Sequence, residues 1–361
     1  MTKPVRQLCC DFVNLKKTIC NTAVVAFSAL ISMQGLLGLP ALAQCQVERD
    51  DAPLEHGMTS LPKIPISIWR PKDSKPQAVA IAVHGLVMHG GVYDRLANEL
   101  VGLGFEVYAQ DLRGYGRWQL EPRAKSVVSY KESLEDLKAL VRAARNEHPD
   151  LPVFLIGESM GAGLSMRAAE AMPGEISGLV LSSPALKRRN YCEPEMVRDV
   201  AALFANPVRQ FDMVPYIRKF ASEDPQIAQE TIQDPMVRKT LSLKELLTTA
   251  SVIRTNINHA KNIPADMPVL VIQGDHDRML QQNAVVTLLK KLKSTDQTVR
   301  WLPGKGHVLI ETAHIDPATL FAVKSWLVGH LPDGAERIAK VPNKANYQES
   351  EWLELSSVGQ Y

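Results

Sequence analysis

From about Leu61 onward the chain alternates short apolar runs with longer amphipathic ones. Ile64 to Trp69 alternates apolar and polar side chains with period two, which predicts an antiparallel edge strand. Ala78 to Val83 is apolar at every position, the pattern of a strand buried on both faces. Helical spacing from Tyr93 to Leu103 follows, then a strand at Glu106 to Ala109 that ends near Asp111. Ser129 to Glu147 reads as a long amphipathic helix stopped by His148-Pro149. Val153 to Ile156 is a further strand, running into a Gly-rich turn and a helix of small residues, Ala162 to Ala171. Strands at Leu179 to Leu181, Val269 to Ile272 and Val299 to Leu302 complete the pattern, with a helix from Asn283 to Leu292 between the last two. Alternating strands and helices predict an α/β fold, a mostly parallel central sheet with helices on both faces.

The exception is the stretch of about 185–264, which offers helical patterns separated by prolines and no convincing strand. It predicts a helical cap inserted over the carboxyl edge of the sheet. The organisation expected is a domain at 61–331 holding that cap, a linker at 44–60 before it, and a polar tail at 332–361 that wraps the surface or stays unordered.

Residues 1–43 have the form of a signal peptide, with a basic start, an apolar stretch from Thr22 to Leu39, and Ala41-Leu42-Ala43 at the end. That predicts export to a periplasmic or extracellular space after cleavage near Ala43. A permanent membrane anchor is the alternative, weakened by Gln34, Gly35, Gly38 and Pro40. Lipid attachment at Cys45 ranks below both, because Gln44 stands where a small residue is expected. The leader carries Lys3, Arg6, Lys16 and Lys17 against Asp11, so without it the formal charge of +2 falls by three to −1. So neutral a chain has no electrostatic footprint for nucleic acid. Cys45 and Cys192 are the cysteines outside the leader, too few for a metal cage; their pairing is open.

The strongest chemical signal is Gly157-Glu158-Ser159-Met160-Gly161, placed between a buried strand and a helix. A strand-to-helix turn this tight strains the central residue, and glycines two positions away on either side make room for it. Ser159 would then project at the carboxyl edge as a nucleophile, with the helix N-terminus favouring negative charge beside it. A serine needs a base to take its proton and an acid to orient that base. Gly274-Asp275-His276-Asp277 and Gly306-His307 follow strands that end at the same edge. They supply Asp277, preferred over Asp275, and His307, preferred over His314 and His330, which would fall in or after the next helix. Backbone N–H groups of Met160 and of Leu86, on the loop from His84 to Gly91, are the expected oxyanion donors. His84 is expected to brace that loop. His89 either lines the pocket or is only a loop residue.

His84-Gly85, Asp111 to Gly116, Gly157 to Gly161, Gly274 to Arg278 and Gly306-His307 together resemble the monoacylglycerol lipase and lysophospholipase branch of the α/β-hydrolases, a serine aminopeptidase S33-type family. The resemblance runs from about Ser67 to Leu331. It includes Ser222 to Pro225 and Asp234 to Val237 in the cap. It implies an α/β-hydrolase fold and a Ser159, His307, Asp277 triad in which Asp277 is the acid. It also implies oxyanion donors at Leu86 and Met160, and a substrate that is a single-chain lipid ester, with no metal or organic cofactor. Arg117-Trp118 departs from the family pattern, which puts a reshaped pocket mouth in view.

Apolar stripes at Met196, Val197, Val200, Leu203 and Phe204, and at Leu246, Leu247 and Ile253, either pack on their own domain or in part form an acyl-chain tunnel or touch a membrane. Lys187, Arg188 and Arg189 are a solvated loop or a contact for anionic headgroups. A generic carboxylesterase, a peptidase, an acyltransferase and a non-catalytic binding protein remain the alternatives on the same scaffold.

Overall fold

The computed structural model of the chain describes residues 47–52, 64–122, 126–188, 194–206 and 208–332. The expected leader, Cys45, Arg189, Cys192 and the tail from residue 333 lie outside them.

The strands are β1 (Val47–Ala52), β2 (Ile66–Pro71), β3 (Ala78–Val83), β4 (Phe105–Gln110), β5 (Val153–Glu158), β6 (Gly178–Ser182), β7 (Gln210–Asp212), β8 (Thr240–Ser242), β9 (Val269–Gly274) and β10 (Gln297–Leu302). Eight of them form one sheet in the order β1-β2-β4-β3-β5-β6-β9-β10. From β4 to β10 all neighbours are parallel, whereas β1 and β2 run antiparallel. The loops after β3, β5, β6, β9 and β10 therefore leave from one edge.

Alternate residues of each central strand feed opposite faces, which is why these runs are apolar throughout. Val79, Ile81, Leu155, Leu179 and Val271 join one core, with Leu137 and Leu140 of α2 (Tyr130–Glu147), Leu164 of α3 (Met160–Ala171) and Leu288 of α8 (Asn283–Lys291). Ala80, Phe154, Ile156, Val180 and Leu270 join the other, with Leu96 and Leu100 of α1 (Asp94–Val101) and Val323 and Leu327 of α9 (Pro317–Gly329). The start of α2 follows its sequence signal: the Ser129 hydroxyl accepts the Glu132 N–H at 3.3 Å.

Two expectations are corrected at the start of the sheet. β2 is antiparallel as its period implies, but it is not the edge, because β1 pairs outside it. β1 lies within the stretch expected to be a linker. Its sequence, Val47 to Ala52, is mostly charged, so apolar alternation gives no sign of it.

Between β6 and β9 stand α4 (Pro194–Ala205), α5 (Val214–Phe220), α6 (Pro225–Gln233) and α7 (Leu243–Asn256). The insertion also holds strand, against expectation: β7 and β8 pair antiparallel, with Phe211 opposite Leu241. At three residues each they are too short to display a period.

Arg238 and Glu245 fasten this cap to the sheet domain. The Arg238 guanidinium donates to the carbonyls of Gly114 (2.7 Å) and Ser126 (2.9 Å) and pairs with Glu245 at 2.8 Å. Glu245 also accepts the Val128 N–H at 3.2 Å and closes a capping box with Ser242 at the start of α7. Both side chains are largely buried, so removing one leaves the other's charge without its counterion. Glu245→Ala is expected to destabilise the protein by about 3–5 kcal/mol in urea unfolding. A loss below about 1 kcal/mol would show that the pair behaves as an exposed one.

Candidate active site

The geometry starts at the β5–α3 turn. Ser159 sits there with φ 54° and ψ −113°, a left-handed conformation for a non-glycine residue. Gly161 permits the turn: a Cβ there would lie 1.8 Å from the Val83 carbonyl oxygen of β3. A Cβ on Gly157 would lie 2.5 Å from the Ala162 nitrogen. Only glycine lets α3 start so close to the sheet.

His307, on the loop after β10, brings its Nε2 to 2.9 Å from the Ser159 hydroxyl. Its Nδ1–H donates to Asp277 Oδ2 at 2.8 Å. That bond places the proton on Nδ1 and leaves the Nε2 lone pair facing the serine. Asp277 is fully buried and takes three further donors: Met279 N–H (2.7 Å) and Leu280 N–H (3.0 Å) on Oδ1, and the Gln273 amide (3.0 Å) on Oδ2. The structure thus brings Ser159, His307 and Asp277 into one hydrogen-bonded line. Such a line can move a proton from hydroxyl to imidazole and hold the charge that results. Asp275, the rival acid, instead accepts the Gly304 N–H at 2.7 Å. His314 meets Glu230 at 2.8 Å from a position before α9, not in or after it as expected. His330 caps that helix and meets Asp296 at 3.0 Å.

Leu86 and Met160 line the same cavity as Ser159 and His307. Met160 is the first residue of α3, where an N–H has no acceptor within the helix. His84 braces the loop before Leu86: Nδ1–H donates to the Gly85 carbonyl (2.8 Å) and Nε2 accepts the Leu112 N–H (2.9 Å). Burial pushes its pKa down to about 4, so it stays neutral in that role. His89 pairs with Asp234 of the cap at 2.9 Å, and it is absent from the cavity wall. Arg117 and Trp118 do not line the cavity either. Arg117 Nε donates to Asp111 Oδ2 at 2.7 Å, and the Trp118 indole N–H donates to the Asp111 carbonyl at 3.0 Å.

The cavity holds about 250 Å³. Its wall is mainly apolar and comes from the cap, with Val200, Phe211, Met213, Leu246 and Ile253 among the contributors. Val200 and Phe204 of the first stripe and Leu246, Leu247 and Ile253 of the second therefore face the serine, whereas Leu203 is buried and Val197 is exposed. Arg188 and Arg278 are the cations of its lining.

Sequence reasoning missed the residues that hold the base loop. Glu223 accepts the Gly306 N–H at 2.6 Å, and the Ala221 carbonyl accepts the Val308 N–H at 2.8 Å. The cap segment thus grips the chain on both sides of His307. Gln273 and the buried Glu158 and Glu311 were also passed over. Glu158 stood inside the elbow motif, but nothing in its spacing announces a partner.

Burial alone would lower the His307 pKa, yet the charge and hydrogen bond of Asp277, with the charge of Glu158, hold it above the ordinary 6.5. Asp277 is held below its ordinary 3.8: burial opposes ionisation, but the charge and hydrogen bond of His307 and the Leu280 and Gln273 donors outweigh it. The imidazole should therefore titrate above 6.5 by NMR in the wild type and at a lower pH in Asp277→Asn. A midpoint that does not move on substitution would remove Asp277 as the source of the shift.

Residues 74–312 match the family model of the serine aminopeptidases, S33. The chain is 30% identical over 279 residues to a monoacylglycerol lipase of Mycolicibacterium smegmatis, covering 74% of this chain and 94% of that one. It is 28% identical over 267 residues to a monoglyceride lipase of Mus musculus, covering 72% and 84% respectively. Among solved structures, a monoacylglycerol lipase of Paleococcus ferrophilus superposes with a TM-score of 0.60 at 26% identity, covering 74% of this chain and 99% of that one. With the parallel sheet and the cap-covered serine already described, these likenesses establish that the chain belongs to the serine aminopeptidase S33 family of α/β-hydrolases and is a carboxylic ester hydrolase.

Proposed function

We propose that Ser159, His307 and Asp277 are the catalytic triad of a lipase acting on single-chain lipid esters, monoacylglycerol first among them. The observation that carries this reading is the hydrogen-bonded line from Ser159 to Asp277 at the floor of an apolar, cap-lined cavity. The relatives' names support the substrate class.

Ser159 Oγ attacks the ester carbonyl as His307 Nε2 takes its proton. Negative charge moves to the carbonyl oxygen, where the Leu86 and Met160 N–H groups and the N-terminus of α3 receive it. His307 then returns the proton to the departing alcohol, leaving the acyl group on Ser159. Water enters, loses a proton to the same nitrogen, and releases the fatty acid and free Ser159. The acyl chain lies along the apolar cap wall throughout.

A peptidase is disfavoured by the same wall. An aminopeptidase must meet a free ammonium group with an acidic or carbonyl acceptor, and the charged side chains lining the cavity, Arg188 and Arg278, are cationic. Val197 (55% exposed), Phe204 (60%), Val208 (82%) and Leu247 (53%) expose apolar surface on the cap, which favours transient contact with a lipid surface. Export, with cleavage near Ala43, remains part of this proposal on the sequence of residues 1–43 alone.

Ser159→Ala should lower monoacylglycerol turnover by on the order of 10⁶-fold and abolish labelling by a fluorophosphonate probe. Retained labelling would remove Ser159 as the nucleophile. Val200→Trp, which narrows the cavity, should shift preference among p-nitrophenyl esters from long acyl chains to short ones. An unchanged chain-length profile would mean that acyl chains do not enter there.

A further inference from the structure

Glu158 and Glu311 are both fully buried, and neither lines the cavity. They nevertheless touch the loop after β3, the end of β6 and the loop after β10 that carries His307. Glu158 directly precedes Ser159 and receives only donors: the Ser182 hydroxyl (2.5 Å) and the N–H groups of Leu309 (2.9 Å), Ile310 (3.3 Å) and Glu311 (3.0 Å). Three successive backbone N–H groups converging on one carboxyl group form an anion-binding nest, here starting two residues after His307.

The surroundings of Glu311 are different. Its Oε1 accepts the Gly85 N–H at 2.6 Å, and its Oε2 would lie 3.1 Å from a Cβ placed on Gly85. The Tyr93 hydroxyl oxygen lies 3.0 Å from Glu311 Oε1 and 2.9 Å from the Val83 carbonyl oxygen. A hydroxyl has one proton, and the Val83 carbonyl and an ionised Glu311 would both have to compete for it; a proton on the Glu311 carboxyl group lets both contacts be hydrogen bonds at once.

Two adjacent anions in this dry interior would each be strongly disfavoured. Burial and the charge of Glu158 push the Glu311 carboxyl well above the usual carboxylate range, against the Gly85 and Tyr93 hydrogen bonds. Burial also raises Glu158, which is opposed by Ser182, by the charge of His307 and by the backbone donors.

We propose, on the reading of the triad given above, that Glu158 and Glu311 are a one-proton pair of positioning residues. The carboxylate of Glu158 holds the loop that carries His307 and stabilises the imidazolium. The neutral acid of Glu311 fixes Gly85, and through it the Leu86 N–H, relative to Ser159. The titratable groups facing the pair are His307 and Tyr93, with Asp277 one contact further through His307.

Infrared spectroscopy of the folded protein at neutral pH tests the proton inventory without reference to activity. A carboxylic-acid C=O band should be present in the wild type, kept in E158Q and lost in E311Q. No such band in the wild type, or its loss in E158Q alone, would overturn the assignment. Kinetics tests the roles. The acid limb of kcat/KM reports the free base, so E158Q should move its midpoint to lower pH with a fall in kcat. E311Q, neutral for neutral, should leave that midpoint in place. An acid limb that moves equally in E311Q, or not at all in E158Q, defeats the proposal. Should the triad reading itself fail in Ser159→Ala, the infrared band still decides the pair; should E158Q not fold, the wild type and E311Q suffice for the band.

Discussion

Everything at this site depends on one residue's worth of backbone, the left-handed turn at Ser159. A non-glycine residue in that conformation costs about 1–3 kcal/mol and persists only where its surroundings over-determine it. They do so here through both of its backbone groups. The Ser159 N–H donates to the Ser182 carbonyl at 2.9 Å, and its carbonyl accepts the Ala185 N–H at 3.0 Å. The turn is thus tied to the end of β6, and Gly161 seats α3 against β3. Straightening it would break contacts with two neighbouring strands.

That turn would aim at nothing if the sheet were not parallel around it. The loops that meet here leave the same edge because six neighbouring strands, β4 to β10 in the sheet order, share one direction, and Asp277 and His307 arrive from β9 and β10, at the far end of that order from β3. The base loop spans the gap, and it is not self-supporting. Glu223 and Ala221 of the cap hold it from one side, and the carboxyl of Glu158 holds it from the other. The cap is therefore more than a cover. It forms the apolar wall of the cavity and also holds the chain on both sides of the His307 imidazole.

The charges follow the same economy of contacts. Asp277 is ionised among four donors, His84 is kept neutral by burial, and the cavity wall is mainly apolar, with Arg188 and Arg278 as its cations. In so dry a place each hydrogen bond to a developing charge is stronger than it would be in water, and each unpaired charge costs more. Asp277, the buried anion of the site, accordingly sits where every donor it needs is within reach.

Much of this was legible in the order of residues alone. The sheet strands were readable because burial on both faces demands unbroken apolar runs, and the elbow because only glycine tolerates Gly157 and Gly161 positions. Ser159 and His307 followed from the edge on which their strands end. Asp277 could not be separated decisively from Asp275 by spacing, since both sit on one turn; the resemblance favoured it, and the fold alone turned its carboxyl towards the imidazole. β1 escaped because a charged edge strand has no period to read, and β7 and β8 because three residues are too few. Arg238, Glu223, Glu158 and Glu311 escaped for a deeper reason. Their partners lie from 7 to 226 residues away, and a hydrogen bond to a distant backbone group leaves no mark in local sequence. The chain by itself determined which groups could react; the tertiary structure decided which of them meet, because meeting depends on contacts between segments that sequence separates.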